Sequence, residues 1–239
     1  MERKIILKTL VGSHNYNLND NNSDRDYKIF VAPTFDDLYS GHIHTKSHVG
    51  ESEDYTIHDI RKIPQLFWKS NINFIELLYS KKIDYNASIF PEIDAMFKLR
   101  DKLVKMNLPY LYNACFGNAH NKYKNLEKGT SGTQHLIEKF GYDTKEALHC
   151  YRMFDFLQRF SKTNFNNFQQ AVSYEGQERE FMFGIKHGNY TLIQFKEMVM
   201  RLKTEVETNI KPHYSEQKPQ HEFLDELNYL IKDLVRKNI

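Results

Sequence analysis

Two aspartates separated by one residue, Asp24 and Asp26, stand just ahead of an apolar run, Ile29 to Ala32. In an extended strand, residues two apart point to the same side of the sheet, so this spacing presents two carboxylates side by side. Carboxylates held that close repel unless a cation neutralises them or one takes up a proton. Mg²⁺ suits such a pair, because it is commonly held by one or two carboxylates with substrate phosphates and water completing its shell. Upstream, another apolar run from Ile5 ends at Val11 and is followed at once by Gly12-Ser13. Glycine lets backbone approach a ligand closely, and a short helix over His14 to Leu18 would aim free N–H groups at a phosphate. Asn, Asp and Ser are also turn formers, so a surface loop is the plainer reading of the composition. The order strand, Gly-Ser, short helix, Asp-x-Asp on a second strand favours the chemical one.

The elements that must position these residues can be followed along the chain. Ile5 to Val11 reads as a buried strand and Tyr27 to Ala32 as the next, ended by Pro33-Thr34. Thr34 caps a short helix starting at Phe35. Residues 41–53 are polar and hold His42, His44 and His48, whose spacing matches no zinc geometry; a solvent-exposed loop able to close over the site is expected. Glu53 to His58 reads as a strand with Tyr55 and Ile57 on one face and Asp54, Thr56 and His58 on the other. A helix from about Asp59 to Lys69 follows, capped by Asp59, with Pro64 in its first turn. Arg61 and Lys62 lie at its start, where basic residues gain nothing from the helix dipole. One of them binding phosphate and a solvated face are equal readings, and Lys62 is carried forward as the candidate.

The pattern breaks between Asp84 and Pro91, which sets a boundary between a core over residues 1–85 and a helical region over 91–239. Helices are expected over 91–106, 109–128, 131–139, 143–161, 191–209 and 220–237, with 210–219 as a linker. In the last helix Phe223, Leu227, Leu230, Ile231 and Leu234 form an apolar stripe that should pack on the rest of the chain. Asp143 or Thr144 caps a helix on which Lys145, His149 and Arg152 fall at i, i+4 and i+7, sharing one face. Arg offers a fork and Lys a point charge, so this stripe could grip a triphosphate or a nucleic-acid backbone.

The hydrophobic residue, Gly12-Ser13, spacer and Asp24-x-Asp26 resemble the signature of the DNA polymerase β-like nucleotidyltransferase superfamily. Phe140-Gly141-Tyr142-Asp143-Thr144-Lys145-Glu146-Ala147-Leu148-His149-Cys150-Tyr151-Arg152 resembles the Gly-Tyr-Asp-x-Lys-x-Ala-x-His-x-x-Arg element of its bacterial and phage branch, which includes the RNA-repair-associated RlaP-like group. Asn71, Asn73 and Glu76 fit the branch's Lys-x-Asn-x-Asn-x-x-Glu-Leu segment, with Ser70 where that branch often has glycine. The resemblance implies an α/β (α+β) fold: a small mixed sheet with flanking helices, then a helical C-terminal region. It implies transfer of an NMP from an NTP, ATP by default, to a hydroxyl acceptor. Asp24, Asp26 and a third carboxylate would hold Mg²⁺ or Mn²⁺. Asp54 takes the third place, ahead of Ile60-Arg61-Lys62, with Glu53 and Asp59 as competitors. Gly12, Ser13, Ser23, Lys62, Lys145, His149 and Arg152 would contact the nucleotide, and the branch's RNA-repair association favours an RNA or tRNA end as acceptor.

Composition narrows the rest. With 239 residues, 40% hydrophobic and 14% aromatic, the chain should fold into one large or two smaller domains. Its 33 basic and 31 acidic residues leave a formal charge of only +2, which does not mark a strong non-specific nucleic-acid binder. Cys115 and Cys150 form no metal spacing and no disulfide framework. No apolar run is long enough for a membrane span or signal peptide, so a cytoplasmic protein without a membrane partner is expected. Two other readings stay open: an inactive nucleotidyltransferase fold that binds nucleic acid, and an antitoxin-type enzyme that adenylylates a protein.

Overall fold

The computed structural model describes residues 3–21, 23–50 and 52–239. Asn22 of the Asn-rich stretch, Glu51 of the polar segment and the first two residues lie outside the described residues. By compactness the chain divides into two units, one running to Asn107 and resuming at Pro219, the other spanning Leu108–Lys218.

The first unit is built on a five-stranded sheet of β1 (Ile5–Val11), β2 (Arg25–Val31), β3 (Thr45–His48), β4 (Glu53–Asp59) and β5 (Ile83–Asp84), in the order β3-β4-β2-β1-β5. Among the described residues only β2 and β4 pair in parallel; the other ladders are antiparallel, so the sheet is mixed. Near-continuous apolar runs explain its two central strands: Ile6, Leu7, Leu10 and Val11 on β1 and Tyr27, Ile29, Phe30 and Val31 on β2 are buried. A parallel pair needs a crossover connection. Here it contains α1 (Phe35–Ser40), started by a reciprocal capping box between Thr34 and Asp37. The Asp37 carboxylate also takes a two-point contact from the Arg3 guanidinium, at 2.7 and 2.9 Å, which holds its pKa far below the usual carboxylate range.

The sheet also corrects two expectations. Residues 45–48 are not loop but an edge strand along β4, though every one of them is exposed. The helix expected over His14 to Leu18 is a single 3-10 turn, Gly12–His14, and Asn17 beyond it takes a left-handed φ of +63°. The Asp59 cap is observed, with its carboxylate accepting from the Arg61 N–H at 2.9 Å. Helices α2 (Ile63–Trp68) and α3 (Ile72–Ile75) follow, and Asn71 caps the second. Between them Ser70 adopts φ +49°, a conformation that suits the glycine often found there in the resembled branch. α4 (Pro91–Lys98) and α5 (Arg100–Leu103) complete the first pass. The C-terminal helix α13 (His221–Lys237) returns to pack against α2 and α4, burying Leu227, Ile231, Leu234 and Val235, and Lys237 pairs with Glu92 at 2.6 Å. The expected apolar stripe is therefore core.

The second unit is helical: α6 (Leu108–Lys124), α7 (Gln134–Phe140), α8 (Thr144–Lys162), α9 (Phe168–Val172), α10 (Gly176–Lys186), α11 (Leu192–Glu205) and α12 (Lys211–Ser215). α9 and α10 occupy a stretch for which no helix was expected. The expected linker over 210–219 instead holds α12, which follows directly on a π-turn, Val206–Ile210, at the end of the expected helix. Its core is aromatic, with Phe156, Phe160, Phe165, Phe168 and Tyr214 in mutual edge or stacked contact at 4.8–5.6 Å. Tyr214 keeps its buried hydroxyl satisfied on the Leu157 carbonyl at 3.0 Å. Cys115 and Cys150 are free and buried, and burial pushes both thiols up to about 12. Among the described residues no helix is long and apolar enough to cross a membrane.

Candidate active site

In the first unit the chain runs from the end of β1 straight into the Gly12–His14 turn. Gly12 takes φ +74°, and a Cβ there would collide with the Asp26 carboxylate. Only glycine fits both the left-handed backbone and this approach. Gly12→Ala is expected to cost about 1–2 kcal/mol for the backbone alone and to displace the Asp26 carboxylate; denaturant unfolding beside a crystal structure of the variant checks both effects.

Asp26 sits on β2, opposite Val11 on β1 and Asp54 on the parallel strand β4. The register thus makes Asp26 and Asp54 cross-strand neighbours, with Lys28 beside Thr56 as the next pair on the same face. Asp54 accepts from the Gly50 N–H at 3.0 Å, which fixes one of its carboxylate oxygens. Asp24 is exposed and lies just ahead of β2. Among the described residues no three His, Cys, Asp or Glu side chains are already gathered as a metal centre. The donor set nevertheless fits a hard divalent ion: two carboxylates side by side, with the glycine backbone leaving space where a side chain would intrude.

Around this pair several polar groups are tied into the scaffold. His14 Nε2 donates to the Ser23 carbonyl at 3.1 Å, and the Ser23 hydroxyl donates to Asp20 at 3.0 Å, so Ser23 braces the loop that carries Asp24. Asn15 is buried, accepting from the Lys81 N–H at 3.0 Å and donating to buried Glu76 at 3.4 Å. Arg61 is committed to Asp59, with contacts of 2.9 and 2.6 Å, which leaves Lys62 as the more available cation of the two; it donates to the Thr45 hydroxyl at 3.1 Å.

Lys28 escaped the reading of the sequence. Its ammonium lies 4.2 Å from the centre of the Phe74 ring, and burial lowers its pKa while Glu76 and Asp26 oppose that shift. The signal was present, since Asp24, Asp26 and Lys28 continue one period-two series. Farther along the same face of β4, His58 is buried against the Phe30 and Phe74 rings, at 5.8 and 5.0 Å. Neither of its ring nitrogens has a hydrogen-bond partner among the described residues.

The other predicted residues are brought together on the second unit. Asp143 caps α8, accepting from the Lys145 and Glu146 N–H groups at 2.9 and 3.0 Å. On the helix face that follows, Lys145 is exposed, His149 half-buried and Arg152 buried. Lys122 on α6, a second missed cation, pairs with Glu146 at 2.6 Å. Burial, with Arg152, Lys122 and Lys145 around it, pushes the His149 pKa down to about 3. At neutral pH the imidazole is therefore an uncharged hydrogen-bonding group among cations. The chain matches, over residues 1–230, the family model described as RlaP, RNA repair pathway DNA polymerase beta family. No curated protein matches it.

Proposed function

The chain belongs to the RNA repair pathway DNA polymerase beta family, a nucleotidyltransferase-type family, and from that premise we propose that it transfers an NMP from an NTP to the hydroxyl of an RNA or tRNA end. The observation that carries the reading is the placement of Asp26 and Asp54 as neighbours on parallel strands, with the Gly12 backbone against Asp26. Asp24, Asp26 and Asp54 would hold Mg²⁺ or Mn²⁺, which when bound neutralises triphosphate charge and lowers the pKa of a hydroxyl. Gly12 and Ser13 offer backbone N–H groups and a hydroxyl to the β- and γ-phosphates. Where no second ion activates the acceptor hydroxyl, Asp54 takes its proton as the hydroxyl oxygen attacks the α-phosphorus; the bond to the bridging oxygen breaks and pyrophosphate leaves. Lys62 supplies a phosphate-binding group to the carboxylate site; Lys145, His149 and Arg152, on one face of α8, are a set of phosphate-binding groups of the second unit.

The test is incubation with each α-labelled NTP and Mg²⁺ or Mn²⁺, with total RNA and cell lysate as acceptors. Label entering RNA is the expected result. Label confined to a protein band would replace the RNA acceptor with a protein. Metal-independent RNA binding without any transfer would overturn the enzymatic reading.

A further inference from the structure

Between α8 and α10 the second unit carries a cleft of about 240 Å³, lined by Tyr151, Asp155, Tyr174, Gln177, Glu178, Phe181 and Met182. None of these residues belongs to the carboxylate pair or to the Lys145 face. Its chemistry is specific. The Tyr151 and Phe181 rings lie 5.1 Å apart, inclined at 59°, and supply flat apolar surface. Asp155 Oδ2 accepts from the Tyr174 hydroxyl at 2.9 Å and lies 3.9 Å from Arg159 Nη1. Arg159 also reaches Glu178 at 3.1 Å and stacks over the Tyr174 ring at 4.6 Å. The hydrogen bond described for Asp155 is on Oδ2, and an ionised carboxylate has about four lone-pair sites, so acceptor capacity is left for an occupant.

These features select the occupant. Aromatic walls favour a flat ring. A carboxylate can only accept, so the ring must present N–H donors. Arg159 lies against both carboxylates, at 3.9 Å from Asp155 and 3.1 Å from Glu178, so an incoming cation would meet its charge, whereas neutral donors would not. The cleft is smaller than the roughly 300–1,000 Å³ of drug-sized ligand sites, which suits a single base and not a whole nucleotide. Guanine alone among the common bases presents two adjacent donors on one edge, N1–H and the N2 amino group. On adenine and cytosine the amino group adjoins a ring acceptor that would face the carboxylate lone pairs, and uracil flanks its single N–H with two carbonyls. We propose that this cleft is a guanine-binding site in which Asp155 accepts from N1–H and the N2 amino group, with Tyr151 and Phe181 against the ring. The proposal deepens the nucleotidyl-transfer reading and rests on it for the source of the base, which is either GTP or a guanosine of the RNA acceptor.

Titration calorimetry of the full chain, without metal, against GMP, AMP, CMP, UMP and XMP tests it. GMP is expected to bind about ten- to hundredfold more tightly than the others, the scale of one good two-point base contact. Asp155→Asn should reverse the preference of GMP over XMP, because an amide's oxygen and NH₂ match xanthine's N1–H and O2. That variant keeps an oxygen for the Tyr174 hydroxyl, and a purely structural carboxylate would produce no such reversal. Phe181→Leu should weaken GMP binding while leaving the preference over XMP intact. Tighter binding of GTP than of a trinucleotide ending in guanosine assigns the base to the nucleotide substrate, and the opposite order assigns it to the acceptor; either supports a guanine site. Equal affinity for all five monophosphates, no binding of any, or an Asp155→Asn variant that still prefers GMP would overturn the proposal. GMP binding that persists in a protein without transferase activity would refute the transfer reading and leave the guanine site standing.

Discussion

Asp26→Asn is expected to lower NMP transfer on the order of a thousandfold, the upper scale for losing one preorganised electrostatic group from an active site. The amide keeps the shape of the carboxylate and its place against Gly12 and Asp54, so folding should be unaffected. What it loses is the charge that a hard divalent ion and a triphosphate need opposite them. Asp26 should be more sensitive than Asp24. Asp26 is fixed in the ladder between Val11 and Asp54, whereas Asp24 is exposed ahead of the strand and can be partly replaced by water. Initial rates with α-labelled NTP, compared in Mg²⁺ and Mn²⁺, check this, with circular dichroism confirming the fold. An Asp26→Asn enzyme with wild-type rates in both metals would remove the carboxylate pair from the mechanism, whatever the fate of the guanine cleft.

The parts of the fold legible in the sequence are those where burial writes a pattern. β1, β2 and β4 carry apolar positions bounded by Gly12, Pro33 and Asp59, and the stripe of α13 is read directly from its period. β3 left no such trace, because Thr45-Lys46-Ser47-His48 is an edge strand exposed on both faces and defined only by its backbone ladder to β4. The helix expected after Gly12 stops within one turn because Asn17 turns left-handed, a conformation that composition does not reveal. The change of element type along the chain divides it between residues 85 and 91, whereas compactness joins α4, α5 and α13 to the sheet unit and leaves α6 to α12 as the other. Only the three-dimensional return of α13 could show that. The same limit applies to the cations. Lys145, His149 and Arg152 share one helix face and were visible in spacing, but Lys122 joins them from another helix. Asp155 gave no signal at all, since its hydrogen-bond partner Tyr174 and its cleft neighbour Glu178 lie beyond its own helix.

His58→Phe is expected to make the sheet unit resistant to mild acid. Burial first, then the charges of Lys28 and Lys62, push the His58 pKa down from 6.5 to about 4. Its folded-state value therefore lies below its unfolded one, and the folded form favours the neutral ring. Above about 6.5 neither state carries the proton and the group is silent with respect to pH. As pH falls from about 6.5 toward 4, the unfolded chain takes up a proton that the folded chain refuses, so stability declines across that window and levels off below it. A depression of this size corresponds to about 3 kcal/mol of lost stability at the lower end, as an order of magnitude. Phenylalanine matches the ring's neighbours, Phe30 and Phe74, and removes two buried nitrogens that have no hydrogen-bond partner among the described residues. Leaving a buried polar group unsatisfied costs about 1–3 kcal/mol, so the variant should be no less stable at pH 7 and clearly more stable at pH 5. Asp37 cannot mimic the effect, because its pKa is depressed as well, and its stabilisation is lost only as pH falls below the ordinary carboxylate value of 3.8. Trp68, the single tryptophan, packs on His221 within this unit at 4.4 Å and reports its unfolding. Urea midpoints followed by its fluorescence at pH 7 and pH 5 should separate widely for the wild type and draw closer for the variant, which keeps the smaller contribution of His44, whose pKa burial also lowers. An equal shift in both proteins would mean that His58 accepts its proton without leaving the folded state.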